Sequence, residues 1–96
     1  MKSIKITKEF ESWFSSLRDR KAQSIIKARI YRAELGNYGD YKHLSDGVME
    51  LRIFYGSGYR VYFTESGGEI IIILAGGTKS GQSRDIKKAI EISKSF

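Results

Sequence analysis

Val48-Met49-Glu50-Leu51-Arg52-Ile53-Phe54-Tyr55-Gly56-Ser57-Gly58-Tyr59-Arg60-Val61-Tyr62-Phe63-Thr64 is the stretch that decides the fold. Two alternating runs flank a glycine-rich turn, the pattern of two antiparallel strands. Alternation sorts the side chains into two sets. Met49, Leu51, Ile53 and Tyr55 join Tyr59, Val61 and Phe63 as a core-facing set. The other set is Glu50, Arg52 and Phe54 opposite Arg60, Tyr62 and Thr64. With residues 56–58 as the loop, Tyr55 pairs with Tyr59, Phe54 with Arg60 and Arg52 with Tyr62. That face carries two arginines interleaved with two aromatics. Guanidinium groups grip phosphate bidentately and flat rings stack on unpaired bases, so the pattern points to nucleic acid. The plain alternative is an exposed sheet face on which Arg52 and Arg60 are solvated beside Glu50.

Working outward, residues 2–6 read as a short strand with Ile4 and Ile6 on one face. Thr7 is placed to cap a helix whose stripe is Phe10, Trp13, Phe14 and Leu17. Asp19 can cap a second helix with Ala22, Ile25, Ile26, Ile30 and Ala33 on its inner face, ended by Gly36. The short break between them favours a helical hairpin. A polar loop with Tyr38, Tyr41, Lys42 and His43 follows. Strands are expected over residues 48–55, 59–64 and 69–76. Beyond them Gly76-Gly77-Thr78-Lys79-Ser80-Gly81 leads to a last helix, capped by Ser80 or Ser83, with Ile86, Ala89, Ile90 and Ser93 inward. The order β-α-α-β-β-β-α predicts an α+β sandwich: a mainly antiparallel sheet packed against a helical hairpin and a C-terminal helix.

The 96 residues suffice for one domain, residues 1–96, with a single core. Seventeen Lys+Arg against 11 Asp+Glu give a net charge of +6, which favours polyanionic partners. The absence of cysteine excludes disulfides and thiolate metal sites, and a single histidine argues against zinc, so neither metal nor cofactor is expected. The longest apolar run, Ile70 to Ala75, falls far short of the roughly 20 residues that cross a bilayer. A cytoplasmic protein with no membrane partner is the expectation. Lys79 leaves the last strand where it can reach the arginine face, although the spacing around it is not that of a P-loop. Arg18, Arg20, Lys21, Lys27, Arg29 and Arg32 on or beside the second helix form either a solvated face or a phosphate-tracking surface.

Three blocks carry a family resemblance. They are Leu44-Ser45-Asp46-Gly47-Val48-Met49-Glu50-Leu51-Arg52-Ile53, Gly58-Tyr59-Arg60-Val61-Tyr62-Phe63, and Leu74-Ala75-Gly76-Gly77-Thr78-Lys79 with Gln82-Ser83-Arg84-Asp85-Ile86. On these the chain resembles the RelE/ParE toxin superfamily, in its HigB-like branch of addiction-module killer proteins. The resemblance implies a RelE-like fold and the toxin of a type II toxin–antitoxin system. Its activity would be metal-independent endoribonuclease cleavage of messenger RNA in the decoding site of the small ribosomal subunit. The implied partners are that RNA and a cognate antitoxin, through which the complex binds its own operator DNA. Arg60, Arg52 and Lys79 match the catalytic positions, with Arg60 as the phosphate clamp. Tyr62, Phe54, Lys42, His43, Gln82 and Arg84 are the implied RNA contacts. The chain departs from several RNA-cleaving relatives in ending Ile92-Ser93-Lys94-Ser95-Phe96, without a terminal tyrosine or histidine. Tyr62 or Lys79 is then left to move protons. Two other functions fit the same fold: a ParE-like inhibitor of DNA gyrase and a non-toxic basic binding module.

Overall fold

The computed structural model describes all 96 residues, Met1–Phe96. Strand β1 (Ser3–Ile6) leads into helices α1 (Lys8–Ser16) and α2 (Arg20–Glu34). Strands β2 (Tyr41–His43), β3 (Met49–Ile53), β4 (Tyr59–Ser66) and β5 (Ile70–Thr78) follow, and a single 3-10 turn (Lys79–Gly81) opens α3 (Gln82–Ser93). The sheet runs β1-β5-β4-β3-β2. β1 lies parallel to β5 and the other three pairings are antiparallel, so the class is α+β with a mixed sheet. Strand β2 falls within the expected loop. Its three residues pair with Met49, Glu50 and Leu51, too short a run to show alternation. No helix is long and apolar enough to cross a membrane.

Local chemistry sets the helix ends. Thr7 Oγ1 accepts from Phe10 N at 3.1 Å and caps α1. Asp19 accepts from Lys21 N and Ala22 N at the start of α2. Gly36 N and Asn37 N close the other end on the carbonyls of Ala33 and Arg32, a left-handed glycine stop. For α3 the expectation fails: neither Ser80 nor Ser83 caps it. Gly81 occupies the cap position without a side-chain bond, and Ser80 Oγ pairs with Thr78 Oγ1 instead.

The expected parity of the central hairpin is present, but its register differs. Ile53 faces Tyr59, Arg52 faces Arg60 and Glu50 faces Tyr62. Strand β3 therefore ends two residues earlier than expected, and residues 54–58 form the connection, with Gly58 N bonded to the Tyr55 carbonyl. An even shift keeps every side chain on its face. On one face Met49, Leu51, Ile53, Tyr59, Val61 and Phe63 bury against Phe10, Ala22, Ile26 and Ala33 of the two helices. On the other, Val48, Tyr62, Ile72, Leu74 and Ala75 bury against Ala89 of α3, flanked by Ile86 and Ile90. A bulge in β5 at Leu74 lets Ala75 pair with Tyr62 while Ile73 pairs with Phe63. Thr7 Oγ1 donates to the displaced Leu74 carbonyl at 2.7 Å, so the α1 cap also satisfies the bulge.

Two glycines follow the bulge where helices approach the strand closely. A Cβ on Gly76 would overlap the Trp13 ring, and one on Gly77 would overlap the Asp85 carboxylate. The first lets α1 lie flat on β5; the second lets the start of α3 close down beside Arg60, the cross-strand neighbour of Gly77.

Candidate functional site

α3 packs on β4 and β5 and reaches β3 through Gln82 and Glu50, while β2 and the Arg52 end of β3 stay open on that face. A cleft of about 520 Å³ fills the notch between that bare surface and the N-terminal end of α3. Lys42, Glu50, Arg52, Phe54, Arg60, Lys79 and Gln82 line it. Six of the nine residues singled out from the sequence therefore converge here: Arg60, Lys79, Arg52, Phe54, Lys42 and Gln82. Gly58 has a φ of 79°, and a Cβ on it would lie 3.4 Å from Lys79 Cβ, so glycine leaves room for the lysine to cross the turn. Lys79 N donates to the Gly58 carbonyl at 2.8 Å, which fixes the base of that side chain against the β3–β4 connection.

The two arginines sit side by side on adjacent strands. Arg60 is only 3% exposed, against the expectation that it faces away from packed structure. Its register partners Arg52 and Gly77 and the start of α3 enclose it. Arg60 Nε lies 3.9 Å from Glu50 Oε1, and its Nη1 donates to its neighbour's carbonyl, Tyr59 O, at 3.2 Å. Yet the Nε atoms of both Arg52 and Arg60, and Glu50 Oε1, are buried without a hydrogen-bond partner. Like charges directly opposite on a sheet repel, so the pair concentrates positive charge at the cleft while both Nε atoms themselves stay enclosed.

Glu50 is the residue that sequence reading missed. Alternation alone makes it a surface carboxylate beside the arginines, whereas its side chain is fully buried. Gln82 Nε2 donates to Glu50 Oε2 at 2.7 Å, tying α3 to β3 across the cleft floor. The available signal is parity: Glu50 shares the face of Arg60. The helix that covers it leaves no trace in the neighbouring sequence.

Three of the expected contacts do not reach the cleft. Tyr62 is fully buried beneath α3, so its ring stacks on no base. Burial, followed by the Glu50 and Asp85 carboxylates, also pushes its hydroxyl well above the ordinary tyrosine range. His43 is exposed on β2 but alternates with Lys42. Its ring lies tilted against Tyr41, 5.5 Å between ring centroids, on the face opposite the cleft. Arg84 projects from α3 with its side chain 85% exposed, 4.0 Å from Asp85, outside the lining. Arg29 is likewise no free phosphate contact, because its guanidinium donates to the carbonyls of Arg52, Tyr38 and Asp40. It braces the bare end of the sheet from the helical side, and burial holds its pKa below the usual arginine range.

An uncharacterized protein of Haemophilus influenzae is 50% identical over 86 residues, covering 90% of this chain and 87% of that protein. The chain belongs to the same family as that protein. No family model and no solved structure matches the chain. No three His, Asp or Glu side chains group so as to hold a metal ion.

Proposed function

We propose that the chain is a ribosome-dependent endoribonuclease, the toxin of a type II toxin–antitoxin pair with a RelE-like fold of the HigB-like branch. The observation that carries this reading is the cross-strand pair Arg52 and Arg60 in a cleft shared with Lys42 and Lys79. The order of strands and helices, with a helical hairpin on one face and a terminal helix on the other, supports the fold assignment.

The reaction needs little more than such a site. The 2′-hydroxyl oxygen attacks the adjacent phosphorus as its proton passes to a base. The bond to the 5′-oxygen breaks, that oxygen takes a proton, and a cyclic phosphate remains. In this reading Arg52, with Arg60 behind it, meets the non-bridging oxygens, and donors fixed in advance stabilise the charge that develops there. Proton transfer falls to groups that reach the cleft: Lys79, Lys42 and the Glu50 carboxylate beneath Arg60. Gln82 and Glu50 keep Arg60 in place. The partners in this reading are messenger RNA in the decoding site and a cognate antitoxin whose acidic residues cover the basic cleft.

Induced expression in a bacterium, with primer extension on an abundant messenger, tests the proposal. New cuts at codon-spaced positions, lost with Arg52→Ala and when translation is blocked, are expected. Growth arrest with intact messenger and a DNA-damage response would replace it with the gyrase inhibitor. The burial of Tyr62 and the turning away of His43 favour that second reading. The cross-strand arginine pair favours the first.

A further inference from the structure

The cleft has an open rim where the loop of residues 54–58 meets the first turn of α2. Tyr55 lines the cleft and is fixed by three contacts. Its hydroxyl donates to Asp19 Oδ2 at 3.0 Å, its ring stacks on Tyr59 with centroids 6.4 Å apart, and Lys21 Nζ lies 5.7 Å from its centroid. The Asp19 carboxylate is fully engaged, Oδ1 by Lys21 N and Ala22 N and Oδ2 by Tyr55. It makes no ion pair with the Lys21 ammonium, and neither Arg18 nor Arg20 has a carboxylate partner either. Beside Tyr55, the Phe54 ring is 75% exposed and belongs to neither core cluster. The Arg52 guanidinium lies 5.7 Å from its centroid, so the ring is held next to the phosphate-binding pair.

We infer that a single nucleic-acid strand leaves the cleft across this rim. The base beside the bound phosphate stacks on Phe54, and the next phosphate meets Lys21, which Tyr55 and Asp19 position. The inference rests on the RNA reading above and adds a second subsite to it. An exposed ring adjoining bound phosphate is the arrangement that holds an unpaired base irrespective of its identity. The other ways out lack one component. Toward α3, Arg84 is drawn to Asp85 and no exposed ring adjoins it. Toward β2, Lys42 faces the cleft itself, while Tyr41 and His43 lie on the opposite face.

The test is fluorescence anisotropy with labelled 2′-O-methyl RNA, which cannot be cut, as a dinucleotide and as a hexanucleotide over a series of salt concentrations. Lys21→Ala should weaken the hexanucleotide roughly tenfold and make its salt dependence shallower by about 0.7 in log–log slope, the single-strand value for one phosphate contact. The dinucleotide should bind as before. Phe54→Ala should weaken the hexanucleotide at least about fivefold with the slope unchanged, as loss of stacking predicts. Arg52→Ala should weaken both lengths. If Arg52→Ala weakens both while Lys21→Ala changes neither affinity nor slope, the strand path is wrong and the cleft reading survives. Equal weakening of both lengths by Lys21→Ala also overturns the path, since it makes that lysine part of a general field. If Arg52→Ala affects neither length, the cleft reading itself fails.

Discussion

The two faces of the sheet obey the same alternation and end as different surfaces. Under α1 and α2 the face is apolar along its whole length, from Met49 and Phe63 to Ile53 and Tyr59. Under α3 it is apolar only where Val48, Tyr62, Ile72 and Leu74 meet the helix, and toward Arg52 and Arg60 it becomes polar. The cause is coverage. Two helices span one face, whereas the single helix α3 lies over β4 and β5, reaches β3 only at its Val48–Glu50 end, and leaves β2 and the Arg52 end of β3 uncovered. Where cover ends, the side chains at core-parity positions are Lys42, Glu50 and Arg52. The site is thus the unroofed end of a second core.

The largest expected effect breaks the buried pair. Arg60→Ala should lower stability by about 3–5 kcal/mol, because it strands Glu50 as a buried charge. Pairing it with Glu50→Gln should restore much of that loss in urea unfolding. A single variant as stable as the parent would show that Glu50 is not enclosed.

Next come the two glycines, which probe one face each. Gly76→Ala and Gly77→Ala should each cost about 1–3 kcal/mol by overpacking, with different signatures. Trp13 is the only tryptophan, so Gly76→Ala should alter the emission spectrum while the cleft stays intact. Gly77→Ala should leave that spectrum alone, lift the start of α3 and abolish anion binding in the cleft. Spectral changes in both variants would mean that the faces are coupled.

Arg52→Ala should leave stability within about 0.5 kcal/mol of the parent, as expected for a half-buried cation opposite a like charge. On the proposed nuclease reading, messenger cleavage should nevertheless fall at least about tenfold, in line with removal of one preorganised donor. Substantial unfolding instead would assign Arg52 to the scaffold.

The smallest effect concerns the rim. Bonds from Ala22 N, then from the Tyr55 hydroxyl, hold the Asp19 carboxyl below its usual value of 3.8. A depressed folded-state pKa means a contribution present above that value and lost as pH falls through the folded pKa. The urea midpoints of the parent and of Asp19→Asn should therefore differ slightly at neutral pH and converge in acid. A gap that persists at low pH would show that the charge of Asp19 does not hold the rim.

Much of the fold is legible from residues close in sequence. The caps Thr7 and Asp19, the glycine stop at Gly36, the helix stripes and the parity of β3 and β4 each follow from chemistry within a few positions. Parity alone also brings Arg52, Arg60 and Phe54 to one face. Apart from the α3 cap, where Ser80 bonds Thr78 instead, the differences are long-range. The hairpin register is off by two because parity cannot distinguish registers that differ by an even shift. Lys42 and His43 look like loop neighbours, and the edge strand β2 sends them to opposite faces. Tyr62 and Glu50 look exposed because nothing in their neighbourhood announces the helix folded over them from residues 82–93.

By itself, then, the sequence determined which side chains share a face, where the first two helices begin and end, and that cations would meet on the sheet. Tertiary structure decided which of those side chains are roofed and which line a cleft. It buried Tyr62, half-paired Arg60 with Glu50, and left the Nε donors of Arg52 and Arg60 without partners. The physical reason is range: alternation and capping are fixed by neighbours along the chain, while enclosure depends on where a distant helix comes to rest.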